Sequence, residues 1–214
     1  NQLLALANQA MVDSGAPVRL NLAGIESTDY PDSGANHRAL YALTRHEDDF
    51  RDVPRLRRQH RADLVLLVRT FSPKSQGYSC GEAWVNGTLG TPLSPDLAFG
   101  VVNDGRAEWY YCSGYTLAHE IGHLLGAAHD RQHAAAPGHF GFSHGYGQQG
   151  RFGDIMSYFQ PEIGMYANPE RHDCWGLACG IAAGQQGEAD VVGTFRQTAK
   201  IVANFLSSRA EDSE

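Results

Sequence analysis

Between residues 119 and 130 the chain reads His119-Glu120-Ile121-Gly122-His123-Leu124-Leu125-Gly126-Ala127-Ala128-His129-Asp130. On a helix, positions four apart share a face, so His119 and His123 can turn both imidazoles toward one ion. Glu120 stands one residue on, where it can reach a water held by that ion without joining the ligands. Gly126 tolerates the positive-φ backbone that ends a helix abruptly. A sharp turn there would bring His129 back as a third nitrogen ligand. Three neutral imidazoles leave a fourth position open for water, as catalytic zinc requires. Three fixed positions can coincide by chance, but a glycine and a third histidine at further offsets make coincidence remote. The opposite helix face is apolar through Leu117, Ile121, Leu124 and Leu125, so the helix should lie buried against a sheet. One zinc ion is the expected cofactor.

Upstream of this helix the patterns alternate between helix and strand. Residues 1–14 place Leu3, Leu4, Ala7, Ala10 and Met11 on one face, with Gly15 as a C-cap. Residues 17–25 alternate Val18, Leu20 and Leu22 with polar neighbours, which predicts a strand. Residues 26–34 read as a loop and 35–60 as mostly helical. Asp63–Arg69 is a continuous apolar run suited to a strand buried on both faces. Residues 72–79 read as a loop; 81–85, 97–102 and 107–111 read as strands. Downstream, 131–187 is rich in Gly, Pro, His and aromatics with little periodicity. Residues 188–207 form a last amphipathic helix through Val191, Val192, Phe195, Ile201, Val202, Phe205 and Leu206.

Composition narrows the function classes. The 214 residues suit one domain with a real core, and 42% apolar with 19% charged residues is an ordinary globular balance. A net charge of -7 argues against a nucleic-acid partner. The longest aliphatic run, Leu64–Val68, is far too short for a membrane span. Four cysteines, Cys80, Cys112, Cys174 and Cys179, contain no CxxC pair. The close couple Cys174/Cys179 could close a small ring, leaving Cys80 with Cys112; four free buried thiols are the other reading.

His119 through His129 resembles the HExxHxxGxxH pattern of the metzincin zinc endopeptidases. Asp154-Ile155-Met156-Ser157-Tyr158 looks like that family's methionine-bearing turn beneath the metal, with Met165 a fallback lacking the same flanks. Asp130 is similar to the adamalysin/reprolysin branch, whereas Ile155–Tyr158 is closer to serralysin and astacin turns. Cys80–Val85 and Phe99–Asp104 look like the edge strand and following strand of reprolysin-like domains. The combination is most similar to bacterial reprolysin-like proteases, including the peptidyl-Asp metalloendopeptidases. The resemblance is strongest over 80–160 and runs more weakly from 1 to 207.

The resemblance implies an α/β zincin, of the α+β kind: a twisted mixed sheet with an edge strand over the cleft, an active-site helix, and an irregular C-terminal subdomain ending in a helix. A single catalytic domain would span 1–214, with subdomains 1–129 and 130–214. Such domains carry a strand before the first helix, so that strand is expected upstream of residue 1, as is any inhibitory prosegment. The implied activity is hydrolysis of peptide bonds by a secreted bacterial monomer, with Glu120 as general base on zinc-bound water. Tyr158 would ligate the resting ion or donate to the oxyanion. Gly81, Glu82, Ala83 and Trp84 would pair with an extended peptide substrate. Residues 156–166 would wall the pocket beyond the scissile bond, and Arg151, Arg171 and His172 are the nearby cations for an acidic side chain. Calcium is a further candidate ion because the chain is acid-rich, although no EF-hand loop is present. The spacings of His133, His139, His144 and His172 match no second metal pattern. The competing readings are a catalytically silent zinc module and a zinc hydrolase of a small substrate.

Overall fold

A computed structural model describes residues 2–107 and 109–206. Asn1, Glu108 and residues from 207 on, which the expected elements at 1–14, 107–111 and 188–207 touch, lie outside the described residues. Helix α1 spans Gln2–Ser14, and its chain leaves through Gly15 at φ 71°, with the Ala16 amide bonded back to the Met11 carbonyl. Helices α2 (Asn36–Arg45) and α3 (Val53–His60) follow, each closed by a left-handed residue, His46 and Arg61.

Three strands make the main sheet. β1 (Val65–Thr70) runs parallel to β3 (Phe99–Asp104), and β2 (Gly81–Ala83) runs antiparallel to it, so the order is β1-β3-β2. Every residue of β3 but Asp104 is buried, as a central strand packed on both faces should be. α2 covers one face, where Ala39, Leu40 and Leu43 meet Phe99 and Val101. Helix α5 (Thr116–Leu124) lies against the other face. A short helix α4 (Pro73–Gln76) precedes β2, and a hairpin of β4 (Arg106–Ala107) and β5 (Tyr110–Tyr111) links β3 to α5. After α5 the chain holds one small hairpin, β6 (Gly147–Gln148) with β7 (Phe152–Gly153), then irregular backbone and helix α6 (Val191–Val202).

The second core lies below α5. It joins Ala7, Ala10 and Met11 of α1, Ile121 of α5, Met156, Tyr166, and Val191, Val192, Phe195 and Val202 of α6. Each large side chain buried there contributes roughly 1.5–3 kcal/mol. Asp190 caps α6 by accepting from the Gly193 amide at 2.6 Å.

Four expectations are corrected. Residues 17–25 form no strand: Leu22 and Ile25 are 53% and 76% exposed, and the segment is held through Asn8, which bonds both the amide and the carbonyl of Leu20. A strand needs a neighbour, and among the described residues none pairs there. β1 is buried mainly on one face, for Val68 is 54% exposed. The 72–79 loop contains α4, because Ser72 and Pro73 start a turn that Gly77 closes at φ 67°. Ile201 of α6 points to solvent at 53% exposure.

Candidate metal centre

α5 carries three of the predicted residues within two turns. Its start is organised by Ser113, whose carbonyl accepts from the amide and hydroxyl of Thr116. Its end is a Schellman closure: the Ala127 amide bonds the Gly122 carbonyl, the Gly126 amide bonds His123, and Gly126 sits at φ 94°. A Cβ on Gly126 would stand 2.9 Å from that of His139, so both conformation and space call for glycine. The reversal returns His129 to the helix face.

The three imidazoles converge. Nε2 of His119 lies 3.0 Å from Nε2 of His129, and Nε2 of His123 lies 3.1 Å from each. Donors at about 2.0–2.1 Å from one tetrahedral ion stand about 3.3 Å apart, so this triangle fits a shared zinc. The far ring nitrogens orient the set: His119 Nδ1 donates to the Ile155 carbonyl at 2.6 Å, and His123 Nδ1 to that of Ala127 at 2.8 Å. Those bonds leave the Nε2 lone pairs facing inward. Burial lowers the pKa of His119, and burial with the mutual proximity of the rings drops that of His123 well below the usual value. His129 falls to about 4, first from burial and then from His119. All three are neutral, ligand-ready imidazoles at neutral pH. Among the described residues these three form the only cluster of three or more His, Cys, Asp or Glu donors placed to hold an ion.

Glu120 is 3% exposed, and its Oε2 has no hydrogen-bond partner. Burial, reinforced by Glu82, raises its pKa well above the carboxylate range. Its room comes from Gly81: a Cβ there would collide with the Glu120 carboxylate, meeting Cδ at 2.7 Å and Cγ at 2.8 Å. Edge strand and helix therefore fit only because β2 starts on glycine. That contact spans 39 residues of sequence (120 − 81) and leaves no local signal.

Below the triad, Met156 is fully buried, and a Cβ on Gly122 would stand 2.5 Å from its sulfur. The turn Asp154–Ser157 closes through the Ser157 amide on the Asp154 carbonyl at 3.0 Å. It delivers Tyr158, whose hydroxyl lies 3.0 Å from His129 Nε2. Asp130 organises this corner by accepting from the amides of Gln132, His133 and Tyr158 and from His133 Nδ1.

The remaining histidines do other work. His133 is engaged by Asp130, His139 Nδ1 donates to the Gly87 carbonyl at 2.6 Å, and His144 Nδ1 to that of His129 at 2.9 Å. Gly81, Glu82 and Ala83 form β2, while Trp84 follows it and donates to Thr44 at 2.9 Å. Cys80–Cys112 and Cys174–Cys179 are disulfides, and no free cysteine remains. Of the candidate cations, Arg171 is paired with Asp173, and Arg151 lies exposed in the β6–β7 turn. A cavity of about 380 Å³ lies among Tyr115, Gly164, Met165, Arg171 and Trp175; none of the three histidines lines it. Sequence reasoning missed Ser113, which donates to the Glu162 carboxylate; Gly164, in the 156–166 segment expected to wall the pocket, makes room for the Tyr115 hydroxyl.

Comparison with known proteins agrees with this geometry. The family model described as metallo-peptidase family M12B reprolysin-like matches residues 1–130. A peptidyl-Asp metalloendopeptidase of Pseudomonas aeruginosa is 29% identical over 234 residues, covering 96% of this chain and 36% of that protein. One from Stenotrophomonas maltophilia is 30% identical over 201 residues, covering 89% and 44%. One from Xanthomonas campestris is 30% identical over 171 residues, covering 78% and 38%. The chain thus spans well under half the length of these relatives. A solved structure, "Structure of a chaperone-substrate complex", superposes with a TM-score of 0.71 at 20% identity, covering 95% of this chain and 31% of that one, and so shares the fold. No helix among the described residues is long and apolar enough to cross a membrane. Family match, relatives and histidine triad agree: the chain belongs to the reprolysin-like metallopeptidases of family M12B.

Proposed function

We propose that this chain is a zinc-dependent endopeptidase that hydrolyses peptide bonds of protein substrates. The observation that carries the reading is the convergence of three neutral imidazoles beside a buried carboxylate with an unpartnered oxygen. His119, His123 and His129 would hold the ion. When bound, zinc would supply Lewis-acid polarisation of the scissile carbonyl and acidify a water.

Glu120 takes the proton of the attacking water and hands it to the leaving amine; its buried Oε2, without a hydrogen-bond partner, is free to accept that proton. Tyr158 is half exposed and aims its hydroxyl at the same point as the imidazoles, so it donates to the oxyanion. Met156 acts as the family's methionine turn, a floor under α5. The open edge of β2 (Gly81–Ala83), continued by Trp84, takes the substrate as an added antiparallel strand. The cleft lies between subdomains 1–129 and 130–214, and the chain works as a monomer. Two disulfides suit an oxidising, extracellular setting. The relatives' name, peptidyl-Asp metalloendopeptidase, makes bonds next to aspartate the first to test.

The test is digestion of a mixed peptide library by the zinc-loaded protein, with Glu120→Gln alongside. Cleavage should fall by roughly 10²–10⁴-fold in the variant, while metal analysis still finds one zinc per chain. Undiminished cleavage by Glu120→Gln would overturn the mechanism.

A further inference from the structure

Besides raising the pKa of Glu120, the Glu82 charge on the proposed peptide edge takes no part in the mechanism. Glu82 is the middle residue of β2 and is half-buried. Among the described residues no ion pair or hydrogen bond engages its carboxylate. Burial raises its pKa, and His37 on α2 opposes that only in part. A partly desolvated carboxylate that His37 offsets only in part is one that an incoming cation would satisfy.

Strand geometry fixes where that cation would stand. The Asn103 amide donates to the Cys80 carbonyl at 2.6 Å, so Cys80 turns its backbone groups toward β3. Backbone direction alternates along a strand, so Glu82 also faces β3, opposite Val101, while Gly81 and Ala83 present theirs to the open edge. An antiparallel peptide would therefore bond to Gly81 and Ala83. Its residue opposite Glu82 would be a non-hydrogen-bonded pair, the kind in which side chains approach more closely. Side chains alternate too. Gly81 lies against Glu120 on the α5 face, whereas Val101, the cross-strand partner of Glu82, packs in the core under α2. The peptide residue opposite Glu82 thus shares the α2 face with it, away from the metal.

We infer that Glu82 selects a lysine or arginine at the substrate position lying across β2 from it. The inference rests on the endopeptidase reading and adds a charge preference at one position. Opposite charges paired across strands are favourable and like charges directly opposite are not. The expected preference for lysine over alanine at that position is on the order of fivefold, with glutamate disfavoured.

The experiment is a positional scan with Lys, Ala or Glu at each site of a cleavable peptide, read as ratios of kcat/KM. Binding of the same fluorescent peptides to the Glu120→Gln protein is followed in parallel by anisotropy. Wild type should show the lysine preference at one position, Glu82→Gln should bring the Lys/Ala ratio to about one, and Glu82→Lys should invert it toward glutamate. A Lys/Ala ratio unchanged by Glu82→Gln, or the absence of any lysine preference in wild type, overturns the inference and leaves the endopeptidase reading standing. Peptides that are neither bound nor cleaved defeat both.

Discussion

Asp154 opens the turn that carries Met156 and is 1% exposed, with neither carboxylate oxygen in a hydrogen bond of ordinary geometry. Burial raises its pKa well above the usual value; the nearby amides of Tyr146, Ala167 and Met156 offset this only in part, and Asp130 adds to it. The folded protein therefore keeps a proton that the unfolded chain releases from about pH 4 upward. Stability linked to this group is complete below that pH and declines as pH rises toward the folded value. Asp154→Asn keeps the shape and removes the titration. Its melting temperature should overtake wild type as pH rises from 4 to 7, by about 2–4 °C for each kcal/mol gained. Parallel melting curves across that range would refute the assignment. At this scale the three converging histidines were legible and their supports were not. His119 and His123 announce themselves by a four-residue spacing that one helix enforces. Gly81 and Ser113 owe their roles to Glu120 and Glu162, far along the chain, and nothing adjacent to them signals it.

Elements succeed or fail by what they pack against. The helices at 2–14 and 116–124 were legible because an amphipathic period and a glycine exit are local. Residues 17–25 carry an equally regular alternation and stay unpaired, since hydrogen bonds to a second strand are what make a strand. β2 is short and its chemistry lies in its fit to α5. Gly81→Ala would press a methyl group into the Glu120 carboxylate. Overpacking of this kind costs about 1–3 kcal/mol, or is relieved by moving Glu120. The variant should lose hydrolysis by on the order of 10²-fold or more, while zinc titration shows the three-histidine site still loading. Retention of full activity would show that Glu120 has another place to go.

At the scale of the whole molecule, two covalent ties restrain very different loops. Cys80–Cys112 closes a separation of 32 residues and joins the start of β2 to the segment entering α5, whereas Cys174–Cys179 closes only 5. Loop-closure entropy assigns about 4 kcal/mol to the first and about 2 kcal/mol to the second. Urea unfolding of the two Cys→Ser pairs should therefore find the Cys80/Cys112 variant the less stable; the reverse order would mean that strain or residual structure outweighs chain entropy. The sequence by itself marked out the candidate ligands and the helix that presents two of them, because helical periodicity and a glycine exit act within a dozen residues. Net charge and the length of the longest apolar run were legible as well, since both are read directly along the chain. Tertiary structure alone decided that the Tyr158 hydroxyl reaches His129, that Met156 lies beneath Gly122, and that Glu82 faces away from the triad. Each of these depends on packing between segments 20 or more residues apart or on the register of paired strands, and neither is written in local sequence.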